Sequence, residues 1–103
     1  GPNSAPNHAA GVNMVLEAQI HYIVEALDMI VAAKGRAIEP TEKAYLDWNA
    51  KVEEQMKTMI WSHPKAKSYY LNSKGRNYIS CPFKLADYWG WTRNPDREAL
   101  QIS

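Results

Sequence analysis

Between Val12 and Lys34 the polar residues Asn13, Glu17, His21, Glu25 and Asp28 recur at helical spacing, and Lys34 followed by Gly35 supplies a stop. The pattern predicts a helix here, entered from a breaker-rich loop over residues 1 to 11 with Asn7 as its N-cap. At 100° per residue those polar positions span an arc of about 120°, and nearly all the rest of the wheel is apolar, interrupted chiefly by Gln19. A helix of about 22 residues is roughly 33 Å long, and one or two short neighbours cannot cover two thirds of its sides. Such a helix is expected to be buried with help from outside the chain, either the remainder of a larger protein or another copy.

Downstream, Arg36 to Pro40 reads as extended, and Thr41 can cap a second helix running to about Ile60 or Trp61. Tyr45, Trp48, Val52, Met56 and Met59 form one apolar stripe, expected to be core. Asp47 with Lys51 and Glu53 with Lys57 are spaced to pair on the solvent side. Ser62-His63-Pro64 ends that helix, because the residue before proline is pushed out of the α region. Asn77 to Ser80 suits a short strand, and Pro82 suits the first turn of a short third helix reaching about Gly90. The last ten residues have no clear period and are expected to order only against a partner. The predicted fold is mainly α: a long buried helix, a second amphipathic helix and a short third helix with connecting loops.

Composition narrows the function classes. With 103 residues and 46% apolar content, the chain is sized for one small domain with a modest core. A net charge of +1 gives no overall attraction to nucleic acid or anionic lipid, so any such case rests on local clustering. The single cysteine, Cys81, excludes an internal disulfide framework and fits a reducing compartment, with the cytoplasm as the default. No apolar run approaches the roughly 20 residues of a membrane span. Gly1-Pro2 is an unusual beginning and is the kind of scar that a protease leaves on an expressed protein.

Three groupings could carry chemistry. Glu17, His21 and Glu25 share a helical face and permit a metal site, but no His-Glu-x-x-His or cysteine pair supports them, and a solvated face is the expectation. Cys81 could pair with His63 as a nucleophile only if the fold joins them, and a buried structural cysteine is the expectation. A phosphate-cradling loop is missing, since no Gly-x-Gly-x-x-Gly follows a strand. Lastly, residues 61–84 carry Lys65, Lys67, Lys74, Arg76 and Lys84 without one acidic residue, interleaved with Tyr69, Tyr70 and Tyr78. Cations for phosphate beside aromatic faces for rings suit an anionic, ring-containing ligand, either a dinucleotide or single-stranded nucleic acid.

Read in order, Gly1-Pro2-Asn3, His8, Glu17-Ala18-Gln19, Tyr22-Ile23 and Ile38-Glu39-Pro40-Thr41 resemble the C-terminal stretch of flavin-containing Baeyer-Villiger monooxygenases. The resemblance continues through Trp61-Ser62-His63-Pro64, Ser68-Tyr69-Tyr70-Leu71-Asn72, Gly75-Arg76, Pro82, Asp87-Tyr88-Trp89 and Thr92-Arg93, and so spans nearly the whole chain. It makes Gly1-Pro2 read as native. The resemblance implies a parent α/β enzyme with two dinucleotide domains that binds FAD and NADPH and inserts an oxygen atom beside a ketone or aldehyde carbonyl. Residues 1–35 would close the FAD domain, with the loop at Asn7, His8, Ala9 and Ala10 approaching the flavin, where a helix N-terminus favours negative charge. Residues 36–103 would form a helical extension with a loop folding over the nicotinamide cofactor, which corresponds to Ser68, Tyr69, Tyr70, Asn72, Gly75 and Arg76. Many relatives carry Trp at the position of Tyr69, so the stacking role falls to Tyr69 or Tyr70. The implied partner is the remainder of the same enzyme, and the isolated chain is expected to be inactive, to hold no cofactor and not to engage a membrane, with self-association left open to it. The alternative is a non-catalytic helical assembly piece, or a nucleic-acid module using residues 61–84.

Overall fold

The computed structural model describes residues 3–6 and 11–103; Gly1, Pro2 and the expected cap and cofactor loop at Asn7, His8, Ala9 and Ala10 lie outside the described residues. The chain is mainly helical. Strand β1 (Ala5–Pro6) leads to helix α1 (Gly11–Ala32), then strand β2 (Ile38–Pro40) and helix α2 (Glu42–Met56). A 3₁₀ turn at Ile60–Ser62 opens the long connection to strand β3 (Ser80–Cys81) and helix α3 (Leu85–Trp91). A second 3₁₀ turn at Arg97–Ala99 leads into strand β4 (Leu100–Ile102). Two small sheets tie these elements together, β1 parallel to β3 and β2 antiparallel to β4. Among the described residues no helix is long and apolar enough to cross a membrane.

Helix α1 ends in a Schellman arrangement: the Gly35 amide donates to the Ile30 carbonyl at 2.9 Å and the Lys34 amide to Val31 at 3.0 Å. Lys34, not Gly35, takes the left-handed conformation, with φ +54°. Gly35 is needed for a different reason. A Cβ there would collide with Ile102 Cγ2 and stand 3.3 Å from the Ser103 carbonyl, so β4 packs directly on this glycine.

Thr41 caps α2 as expected, its Oγ1 accepting from the Ala44 amide at 3.2 Å. The helix stops at Met56, short of the expected Ile60. Thr58 Oγ1 donates back to the Gln55 carbonyl at 2.8 Å, and Met59 adopts an extended conformation that lays it on the core. That core is small: Val52, Met56, Cys81 and Phe83, with Met59 and Tyr88 packed against it. Tyr45, expected on the same stripe, is exposed. The expected pairs of α2 are also replaced. Lys43 pairs with Asp47, Lys57 with Glu54, and Glu53 with Arg76. Lys51 sits over the Trp91 ring at 4.0 Å from its centroid, where the ring face attracts the ammonium.

Helix α3 starts at Leu85, three residues after the expected Pro82, because Pro82 and Phe83 are drawn into the core and Phe83 packs at 5.2 Å from Trp48 and 5.1 Å from Trp91. The strand expected at Asn77 to Ser80 is shifted to Ser80–Cys81. The last ten residues order on the chain itself, contrary to expectation: β4 pairs Ile102 with Ile38 and Leu100 with Pro40, and the Arg36 and Ala37 amides both donate to the Ser103 carbonyl.

Helix α1 is buried by its own chain only at Val15 and Ala18, so the long buried helix is not buried here. Leu16, Ile20, Ile23, Val24, Leu27 and Val31 fall within about 100° of the wheel. All are exposed, Ile20 to 59% and Val31 to 75%. The overall dimensions agree. The surface of 7548 Å² exceeds the roughly 5,900 Å² of a compact monomer of this mass. Likewise the radius of gyration, 15.2 Å, exceeds the ~13 Å of a compact domain of this length.

Candidate functional site

The basic, aromatic segment folds into a hairpin set against α2. Its arms meet at a bridge between Leu71 and Asn77, and the Asn72 amide donates to the Arg76 carbonyl at 2.9 Å. Asn72 builds the turn: its Oδ1 accepts from the Lys74 amide at 2.9 Å and from Arg76 at 3.0 Å. Gly75 completes the turn at φ +77°, a conformation costly for residues with a Cβ. Asn72, predicted as a cofactor contact, thus has its carbonyl oxygen spent on turn geometry.

Tyr69 and Tyr70 precede the hairpin and differ in environment. Tyr70 is half-buried, edge-to-face with Trp61 at 6.1 Å, and its amide donates to Ser68 Oγ at 3.1 Å. Tyr69 is 87% exposed, touching Tyr70 on one side at 5.8 Å. Of the two adjacent tyrosines, Tyr69 is the one whose ring is open. Arg76 turns the other way: its Nε pairs with Glu53 and its Nη2 donates to Asn49 Oδ1 at 3.0 Å, both on α2. The predicted residues Tyr69, Tyr70, Asn72 and Arg76 thus share one structural unit. Within it Arg76 and Asn72 hold the shape, while Tyr69, Lys65, Lys67 and Lys74 are exposed.

The base of the hairpin rests on a buried polar cluster that sequence reasoning missed. Asn77 Oδ1 accepts from the Ile79 and Ser80 amides, and its Nδ2 donates to Ser80 Oγ at 3.1 Å. Asn3, at φ +53°, donates from Nδ2 to the carbonyls of Asn77 at 2.9 Å and Ser80 at 3.1 Å. All three residues are buried. The available signal was an asparagine at each end, but nothing local links positions so far apart.

Other groupings resolve differently. No group of metal-ligating side chains converges among the described residues. His21 Nε2 instead lies 2.9 Å from the Arg93 carbonyl, so the polar arc of α1 partly faces the end of α3. Cys81 is buried, and burial pushes its thiol pKa up, the opposite of an activated nucleophile; His63 is exposed. A cleft of about 660 Å³ opens between α1, α2 and α3, lined in part by Tyr22, Trp48, Lys51, Tyr88, Trp91 and Asp96. Burial raises the phenols of Tyr22 and Tyr88, with Asp96 adding to the effect on Tyr22. Gln19 spans from β1 toward α3, donating to the Ser4 carbonyl at 3.2 Å and to the Tyr88 hydroxyl at 3.0 Å.

Comparison with known proteins gives two similarities over nearly the whole chain. One is to Uncharacterized monooxygenase y4iD of Sinorhizobium fredii, 29% identical over 96 residues, covering 93% of this chain and 14% of that protein. The other is to a Baeyer-Villiger monooxygenase of Streptomyces coelicolor, 31% identical over 103 residues, covering 99% of this chain and 20% of that protein. The chain therefore spans a seventh to a fifth of the length of these relatives. No family model matches, and no solved structure matches.

Proposed function

We propose that this chain is the C-terminal segment of an FAD- and NADPH-dependent Baeyer-Villiger monooxygenase, which inserts an oxygen atom next to a ketone or aldehyde carbonyl. The observation that carries this is the alignment of almost the entire chain with a small fraction of two proteins named as monooxygenases. The surface excess and the bare apolar stripe of α1 support it, since both are expected of a piece whose companion surface lies elsewhere in a larger body.

In this function residues 1–35 close the FAD domain and residues 36–103 cover the nicotinamide cofactor. The sequence carries no Gly-rich pyrophosphate cradle, and in this proposal FAD and most of NADPH are held by the rest of the enzyme. The hairpin fits a covering role. Tyr69 offers a ring face to the nicotinamide or adenine, Lys65, Lys67 and Lys74 offer charge to phosphate, and Arg76 holds the hairpin on α2. FAD and NADPH supply the redox chemistry. This chain's own groups orient the cofactor and exclude water from it.

The test is expression of the complete reading frame that contains this chain. The expected product is a yellow protein that oxidises NADPH in the presence of a ketone and places one atom of isotopically labelled oxygen in an ester or lactone. A colourless protein with no ketone-dependent NADPH oxidation, or a frame without two dinucleotide fingerprints, overturns the proposal.

A further inference from the structure

We infer that Asn3 is a positioning residue for the hairpin at 71–77, fixing it to the strand that leads into α1 so that the two segments move as one unit. The hairpin's importance for cofactor binding rests on the function proposed above; the mechanical link does not.

Asn3 stands 74 residues from Asn77 in sequence, yet its single side-chain amide donates to two buried carbonyls, those of Asn77 and Ser80. Backbone bonds repeat the tie on both sides, from the Asn3 amide to the Tyr78 carbonyl at 2.9 Å and from the Ala5 amide to Ile79 at 3.1 Å. The β1–β3 pairing extends it to Cys81. Asn77 is also the residue that closes the hairpin against Leu71, so whatever sets Asn77 sets the hairpin base. Its side chain is fully engaged locally, with Oδ1 on two amides and Nδ2 on Ser80 Oγ. A buried cluster with this degree of satisfaction has one low-energy arrangement, because any shift leaves a carbonyl or amide unpaired away from water. The second attachment, Arg76 to Glu53 and Asn49, is exposed to part-buried and correspondingly weaker. The inner anchor therefore dominates.

Asn3→Gly in the full-length protein is the decisive variant. Glycine keeps the positive φ of this position and the backbone bond to Tyr78 but deletes the side-chain amide, so the two side-chain hydrogen bonds are removed without backbone strain. Hydrogen exchange read by mass spectrometry should accelerate about tenfold in the peptide spanning 70–77, while the peptide spanning 35–41 stays within about twofold. The KM for NADPH should rise several-fold with the KM for the ketone unchanged. Unchanged exchange at 70–77 overturns the inference, whatever happens to the kinetics. If Asn3→Gly fails to fold, exchange of the unmodified protein in sub-denaturing urea decides: the peptides containing 3–6 and 70–77 should open together with one urea dependence, and separate dependences overturn the inference. Faster exchange with unaltered NADPH kinetics upholds the link and counts against the cofactor role of the hairpin instead.

Discussion

Arg76 reaches across to α2 and donates through Nη2 to Asn49 Oδ1 at 3.0 Å, while its Nε pairs with Glu53. The guanidinium thus faces the protein, and in the proposed function it serves a bound dinucleotide by holding the hairpin in place. Arg76→Ala should raise the KM for NADPH in the full-length enzyme by about three- to tenfold, equivalent to a loss of roughly 0.7–1.4 kcal/mol, with the KM for the ketone unchanged. Glu53→Gln should act in the same direction and less strongly, since it keeps an acceptor oxygen and loses only the charge. A lower KM for NADPH in Glu53→Gln would mean that the cofactor competes with Glu53 for the guanidinium, contradicting the anchoring role.

The two adjacent tyrosines should separate under mutation. Tyr69 is almost fully exposed, so Tyr69→Ala should change stability by no more than about 0.5 kcal/mol while raising the KM for NADPH. Tyr70 is half-buried against Trp61, so Tyr70→Ala should cost at least the roughly 0.5–1.5 kcal/mol of an edge-to-face pair, measured by urea denaturation. If Tyr69→Ala leaves the cofactor kinetics untouched, the open ring is not the stacking surface.

Gly35 lies under the last strand, where a Cβ would meet Ile102 and the Ser103 carbonyl. Gly35→Ala must therefore displace β4 or distort the end of α1, and the opening of the β2–β4 pair should become easier by about 1–3 kcal/mol, read from hydrogen exchange at 36–40. Exchange identical to that of the unmodified protein would show that β4 does not pack there in solution.

Periodic and local signals account for what could be read in advance. Thr41 followed by a stripe through Val52 and Met56 specifies α2, and the five spaced polar residues specify α1. What escaped is non-local. Three-residue strands are too short for alternation to register, and β2 meets β4 across some sixty residues of chain. Glu53 looked like a partner for Lys57 because only the helix period was visible; folding brought Arg76 closer. The cluster of Asn3 and Asn77 escaped for the same reason. The grouping of Tyr69, Tyr70, Asn72 and Arg76 was legible because those residues are neighbours in sequence, but their division into side chains that hold the shape and side chains that stay open was not.

Cys81 provides a pH-dependent check. Burial raises its thiol pKa, so the folded protein binds this proton more tightly than the unfolded chain does. The contribution to stability is then complete below the ordinary thiol value of about 8.5 and declines as pH rises through it toward the folded value. Tyr22 and Tyr88, also raised by burial, add to the decline near and above the ordinary phenol value of about 10. Alkylation of Cys81, followed by peptide mass spectrometry, should be slow at neutral pH in the folded protein and fast in denaturant. Rapid labelling of the native protein at neutral pH would contradict the burial that defines this core.

The apolar stripe of α1 yields a prediction whose sign depends on what surrounds it. In the chain alone Ile20 and Leu27 are more than half exposed, so Ile20→Asp or Leu27→Asp should barely alter its stability and should reduce self-association. In the full-length protein the same substitutions would place a carboxylate against apolar surface. Removing a large buried side chain typically costs about 2–5 kcal/mol, and an unpaired buried charge adds to that. The expected result is therefore a full-length variant that loses soluble expression or melts far lower, beside an isolated segment that tolerates the change. Equal tolerance in both settings would leave the stripe bare in the whole enzyme, and the excess surface of the chain would then have to be covered along some other face.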